Sequence, residues 1–189
     1  LAGGTHHAHF DFASGFCIFN DLAITAKALL AQGKVKKIVI FDCDVHQGDG
    51  TASILEHEER AYTCSIHCEK NFPAKKALSN FDVGLPPHTN DKEYIDCVQN
   101  TLNAIIKNQR PDLILYDAGV DIYQHDPLGL LDITLQGIRL RDRTVLETCK
   151  KHNIPVATVI GGGYDDDQHA LAERHAIVIE EAFAVFAHK

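Results

Sequence analysis

Four short apolar, β-branched runs at residues 35–41, 61–66, 112–116 and 155–160 alternate with helix-length segments, and this alternation constrains the fold more than any other property of the chain. Runs too short for a helix and without a polar face read as strands buried on both sides. Helices are expected at about 20–32, 51–57, 91–109, 134–152 and 168–186. The first carries Leu22, Ala26, Leu29 and Leu30 on one stripe and stops at Gly33; the third has Tyr94, Ile95, Val98, Leu102 and Ile105 as its apolar face, with Asp91 as its cap. Strands separated by helices imply an α/β fold, a parallel sheet with helices on both faces in a three-layer α/β/α arrangement. Residues 68–90 contain Pro73, Pro86 and Pro87, show no period and read as a long loop, a kind of segment that is often functional.

A length of 189 residues suits one domain with a sizeable core. The net charge of −8 argues against a phosphate-mediated hold on nucleic acid. Lys34 to Lys37 and the Lys75-Lys76 pair are expected on solvated faces. Without an apolar run of the ~20 residues that a membrane span needs, and without a charged-then-apolar leader, the expected location is cytoplasmic. Six scattered cysteines read as reduced, mostly buried thiols, and Cys64 with Cys68 has no second pair to complete a metal site. Opening on Leu1 rather than Met, with its first motif at Gly3, the chain reads as a fragment or a processed product.

The richest chemistry follows the strand at 35–41. Were the extended conformation to continue, Asp42, Asp44 and His46 would share one face, with Cys43 and Val45 on the other, and Gly48-Asp49-Gly50 would turn the chain into a helix. Asp44 and His46, joined by Asp121 from beyond the strand at 112–116, would give a divalent ion three protein ligands and leave a position open for water. Mixed oxygen and nitrogen donors suit zinc and also Fe(II); a hydrogen-bonded Asp–His pair closing a strand end is the alternative. His6 and His7 stand side by side, and Asp42 and Asp49 remain as carboxylates able to fix an imidazole tautomer and raise its basicity, so two His–Asp dyads can form. Gly161-Gly162-Gly163 lacks the Lys-Ser/Thr of a phosphate loop. It reads as a mobile turn carrying the Tyr164 hydroxyl toward an oxyanion.

These motifs together, Gly3-Gly4-Thr5-His6-His7-Ala8, Gly15-Phe16-Cys17-Ile18-Phe19-Asn20-Asp21, the run from Asp42 to Thr51, Asp117-Ala118-Gly119-Val120-Asp121 with Asp126-Pro127-Leu128-Gly129, and Gly161-Gly162-Gly163-Tyr164, resemble the ordered motif set of the zinc-dependent histone deacetylase family, which includes acetoin-utilisation proteins. The resemblance implies an arginase-like fold and hydrolysis of the acetyl amide of acetyl-lysine or a related acetylated amine. It assigns zinc to Asp44, His46 and Asp121. It also makes His7, backed by Asp49, the general base and acid, pairs His6 with Asp42, and gives Tyr164 the acetyl carbonyl. Gly15, Phe16 and Phe72 would line a narrow channel with Leu128 beside it. A structural potassium would fall on Asp42, Asp44, His46, Ser65 and Ile66. The whole of 1–189 would be one catalytic domain lacking its N-terminal part. Two alternatives stay open: a two-manganese ureohydrolase, and a non-catalytic binding remnant of the same fold.

Overall fold

In the computed structural model, which describes residues 3–187, five strands stand where the sequence predicts four. They are β1 (Ile38–Asp42), β2 (Ala61–Cys68), β3 (Phe81–Leu85), β4 (Leu113–Asp117) and β5 (Val156–Val159). Between and around them lie α1 (Asp21–Ala31), α2 (Asp49–Leu55), α3 (Asp91–Gln109), α4 (Leu135–Lys151) and α5 (Gln168–Phe186). The strand order is β3-β2-β1-β4-β5, parallel at every pairing. The additional strand, β3, lies inside the stretch expected to be a loop. Phe81, Asp82 and Gly84 are exposed, so β3 shows neither an apolar run nor an alternation. Its pairing with residues 64–68 of β2 makes it a strand, and neither propensity nor burial announces that.

The expectation of uniformly buried strands fails at the opposite edge too. β5 has no buried residue, whereas β1 is buried throughout. In the interior of the sheet the period of two sorts side chains cleanly. Val39, Phe41, Ile114 and Tyr116 pack with Tyr94, Val98 and Leu102 of α3, Ile138 and Val145 of α4, and Ile177 and Val178 of α5. Ile38, Ile40 and Leu115 face the other way, onto Leu22, Ala23, Ala26 and Leu30 of α1 and Leu55 of α2. The result is three layers, with helices on both faces.

Helix starts follow local hydrogen-bonding chemistry. Asn20 caps α1 by accepting from Ala23 N. At α3 the cap is Asn90, in a reciprocal box with Glu93, and not Asp91. Asp91 accepts instead from the backbone and hydroxyl of Thr134 (2.8 and 2.6 Å), tying the start of α3 to the start of α4. α2 begins at Asp49, two residues before the predicted start, with Gly48 as its cap. All six cysteines are free and five are buried. Among the described residues no helix is long and apolar enough to cross a membrane.

From β1 the chain steps outward to β2 and β3, and α3 then carries it back to β4 on the other flank of β1. The carboxyl ends of β1 and β4 therefore flank a topological switch point, where loops diverge and leave a crevice. Asp42 and Asp117, the last residues of the two strands, lie opposite each other in register at its floor.

Candidate active site

β1 stops at Asp42, so the extended run expected through His46 does not form. The backbone turns twice, each time closed by an aspartate side chain: Asp44 N donates to Asp42 Oδ1 (3.0 Å) and His46 N to Asp44 Oδ1 (2.9 Å). Asp44 Oδ2 accepts from Gly162 N (2.7 Å), and Asp121 Oδ1 accepts from Val45 N (2.9 Å). The other oxygens, Asp44 Oδ1 and Asp121 Oδ2, each lie 3.1 Å from His46 Nδ1. Asp44, His46 and Asp121 thus present donor atoms within 4.8 Å of one another.

The turn that delivers Asp121 is held from beneath. Arg141 of α4 is wholly buried and donates to the carbonyls of Gly119 (2.5 Å) and Ala118 (2.9 Å), while its Nε meets Asp142 Oδ1 at 2.9 Å. Tyr116 OH donates to the same Asp142 oxygen (2.6 Å). A buried ion pair thus anchors the segment between β4 and Asp121.

The electrostatics of the three-residue group fit a cation. Burial resists ionisation of Asp44, but His6 and His46 hold it well below the usual carboxylate range. Burial and the Asp44 charge push Asp121 up to about 7. Burial also works against a charged His46, yet its bonds to Asp121 and Asp44 raise it to about 10. Two buried carboxylates converging on a single point thus draw a proton onto the imidazole between them, and a divalent ion would supply the same positive charge with better geometry.

His6 and His7 are clamped in place by the starts of α1 and α2. Asn20 Nδ2 donates to the carbonyls of His6 and Ala8 (both 3.1 Å), Thr51 N donates to His6 O (3.0 Å), and Asp21 accepts from Gly4 N and Thr5 N. His6 Nδ1 lies 2.7 Å from Asp42 Oδ2 and His7 Nδ1 lies 2.6 Å from Asp49 Oδ1, so both expected pairs are present. Burial lowers the affinity of His6 for a proton, but Asp42 and Asp44 more than reverse this and raise it well above the ordinary value. His7 is lowered, by burial first and by the charge of His6 beside it, against the pull of Asp49.

The glycine turn is not the mobile carrier that its composition suggests. Gly162 N is bonded to Asp44 and its carbonyl accepts from Val120 N (2.7 Å); a Cβ there would stand 2.3 Å from Asp121 Oδ2. Only glycine fits, and the turn is a fixed wall of the acidic cluster. Tyr164 follows with its backbone N–H on Asp126 Oδ2 (2.8 Å), and Asp126 Oδ1 accepts from Leu128 N and Gly129 N. Burial, with Asp121 and Asp44 nearby, pushes the Tyr164 phenol up to about 12, so it remains an O–H donor at neutral pH.

A cavity of about 470 Å³ opens above this cluster, lined by His7, Gly15, Phe16, His46, Lys70, Asn71, Phe72, Leu128 and Tyr164. The four expected channel residues are all in its wall. The ring of Phe72 meets His7 edge-on at 4.9 Å, and Phe16 lies 6.1 Å from Tyr164. Gly15 packs against the His7 ring so closely that a Cβ would come within 2.3 Å of it. Asn71 braces the opposite side by donating to Leu128 O (2.6 Å) and accepting from Leu130 N (3.1 Å). Lys76, expected on a solvated face, instead donates to the carbonyls of Asn71 and Pro73 (2.5 and 2.6 Å) and so holds the channel loop.

Of the residues expected around potassium, Ser65 lies opposite Asp42 in the β1–β2 register, with its hydroxyl on His67 Nδ1 (3.0 Å). Ile66 is buried and paired with Val83 of β3. Sequence reasoning passed over Asp117 and His9. Asp117 is fully buried, 3.9 Å from His6 Nδ1, and neither of its oxygens has a hydrogen-bond partner among the described residues. With His6 and Asp42 it forms a second group of metal-capable side chains. Its position as the last residue of a parallel strand, beside the one that ends at Asp42, was the available signal.

The sequence profile described as "Histone deacetylase domain" matches residues 1–180. An uncharacterised protein of Picosynechococcus sp. is 45% identical over 98% of this chain and 62% of its own length. Histone deacetylase 2 of Arabidopsis thaliana is 31% identical over 87% of the chain and 43% of its own length, and acetoin utilization protein AcuC of Staphylococcus aureus is 37% identical over 73% and 38%. The crystal structure of acetylpolyamine aminohydrolase from Burkholderia pseudomallei superposes with a TM-score of 0.80, covering 97% of this chain and 54% of that one at 24% identity, a likeness of fold. The chain thus spans between about two fifths and three fifths of the length of these relatives.

Proposed function

The chain belongs to the histone deacetylase domain family, and from that premise we propose that it is the catalytic part of a metal-dependent amidohydrolase that removes the acetyl group from acetyl-lysine or a related acetylated amine. The observation that carries this reading is the convergence of Asp44, His46 and Asp121 at the inner end of a cavity walled by His7 and Tyr164.

In this reading Asp44, His46 and Asp121 hold a divalent ion, Zn2+ or Fe2+, and Asp42, Asp44, His46, Ser65 and Ile66 hold a structural potassium. The divalent ion supplies Lewis acidity for the acetyl carbonyl and lowers the pKa of a water. Phe16, Phe72 and Leu128 take the aliphatic stem of the substrate and exclude bulk water. His7, in the cavity wall, has Nδ1 on Asp49, which leaves the Nε2 lone pair available to accept the proton of the attacking water. Its lowered proton affinity keeps it neutral and competent for this at pH 7. As the water oxygen bonds to the acetyl carbon, the Tyr164 O–H donates to the developing oxyanion. The C–N bond then breaks, the proton held by His7 passes to the amine nitrogen, and acetate and free amine leave. His6, with Nδ1 on Asp42, is a fixed neighbour of His7 and takes no part in the proton transfer.

The ureohydrolase alternative draws on the group of His6, Asp42 and Asp117 as a second metal site. The test is turnover of acetyl-peptide and acetyl-polyamine substrates with and without chelator, beside Tyr164→Phe and a count of bound divalent metal. Chelation is expected to abolish turnover, added Zn2+ to restore it, and Tyr164→Phe to lower kcat by about 10²–10³-fold, with one metal bound per chain. Turnover that survives both chelation and Tyr164→Phe removes this mechanism; two tightly bound ions favour the alternative.

A further inference from the structure

The carboxylate that orients His7 has a second imidazole on it. Asp49 Oδ1 lies 2.6 Å from His7 Nδ1, and its other oxygen, Oδ2, lies 3.1 Å from Nε2 of His9. His9 is itself held on two sides: its ring stacks on Phe12 at 4.1 Å and 14°, and its backbone N–H donates to Phe12 O (3.0 Å). The His9 side chain is 15% exposed, at the edge of the site and not within the cavity wall.

We infer that His9 is a positioning residue for the proposed general base, acting through Asp49. The inference rests on the reading of His7 as that base. A carboxylate bonded through one oxygen can rotate about its Cβ–Cγ bond and tilt its lone pairs away from the partner; bonded through both, it cannot. Because Asp49 is an acceptor when ionised, both imidazoles donate to it, so His9 presents Nε2–H and His7 presents Nδ1–H. That second requirement matters for chemistry, since a His7 protonated at Nδ1 has its Nε2 lone pair free to take a proton. Burial works against an ionised Asp49, and the bonds from His7 and His9 outweigh it and keep the carboxyl below its usual range. Removing His9 leaves Oδ2 without this donor, frees the carboxylate to turn, and lets the other His7 tautomer compete. Groups that orient metal-ligating imidazoles from behind are worth about 10–100-fold in activity, and an effect of the same order is expected for one that orients a base.

Two substitutions separate the hydrogen bond from the packing. His9→Phe keeps an aromatic ring against Phe12 and loses the donor, whereas His9→Gln loses the stack and keeps an N–H. The expected result is that His9→Phe lowers kcat about 10-fold or more with KM little changed, and that His9→Gln recovers most of the loss. A readout independent of turnover is the 15N chemical-shift pattern of the His7 ring. It should show a single Nδ1–H tautomer in the wild type and His9→Gln, and a mixture in His9→Phe. A His7 pattern identical in all three proteins overturns the inference, as does equal kinetic damage in both variants. The underlying reading fails separately: full turnover in His7→Ala removes His7 as the base, whatever the tautomer spectra show.

Discussion

His6 and His7 are neighbours in the chain with ring centroids 4.2 Å apart, and each sets Nδ1 against a buried aspartate. Their environments nevertheless drive them to opposite protonation states. His6 sits beside Asp42 and Asp44, whose charges outweigh its burial and raise its proton affinity well above the ordinary value, with the buried Asp117 at its side. His7 has Asp49, shared with His9, and an imidazolium at its side; with burial added, it stays neutral. A His–Asp pair therefore does not define a role by itself. The number of further charges within a few ångströms decides whether the imidazole is a fixed cation or a base with a usable lone pair.

The largest effect that separates the two is removal of each ring. His7→Ala is expected to lower kcat/KM by about 10³–10⁴-fold, the span of a lost general base, and His6→Ala by a smaller factor, since it removes charge and not the proton acceptor. Steady-state kinetics on one acetylated substrate ranks them, and a reversed order breaks the comparison.

A smaller effect sharpens it. Because the proton affinity of His7 is depressed in the folded protein, the acid limb of kcat/KM should lie below the ordinary histidine value of about 6.5. Part of that depression comes from the charge of His6, so His6→Asn should move the limb upward. A limb that stays in place in the variant would show that burial alone sets it.

The smallest expected effect concerns Asp117, the carboxylate that distinguishes the surroundings of His6. Burial first, and the Asp42 charge next, raise its proton affinity well above the ordinary value. Below about pH 4 this group is protonated in both folded and unfolded chains; above it the unfolded chain ionises while the folded one retains its proton. Its contribution to stability therefore falls as pH rises toward the folded value. In metal-free protein, Asp117→Asn should raise the melting temperature by about 2–4 °C per kcal/mol recovered, and by more at pH 7.5 than at pH 4.5. Thermal melts at the two pH values measure this, and an equal gain at both would mean that Asp117 is ionised throughout.

The central layer of the fold was legible because β1 and β4 are apolar runs bounded by turn chemistry, and Asp44, His46 and Asp121 could be named because short motifs carry them to strand ends. The edges were not legible. β3 is held by backbone pairing with little burial, and β5 is apolar in sequence but open in the sheet. The stiffness of the glycine turn was hidden too, since Gly161-Gly162-Gly163 reads as freedom until Asp44 and Asp121 are seen packed against it. His9 and Asp117 escaped for a related reason: their roles depend on which carboxylate or imidazole lies across the crevice, and linear spacing does not encode that.

Arg141 reaches from α4 to the carbonyls just before Asp121, so the acidic cluster shares a cooperative unit with a helix packed on one face of the sheet. By reciprocity, metal occupancy should slow amide exchange along α4, and any contact that steadies α4 should tighten the hold on the ion. The outer surface of that helix is thereby a remote handle on the chemistry.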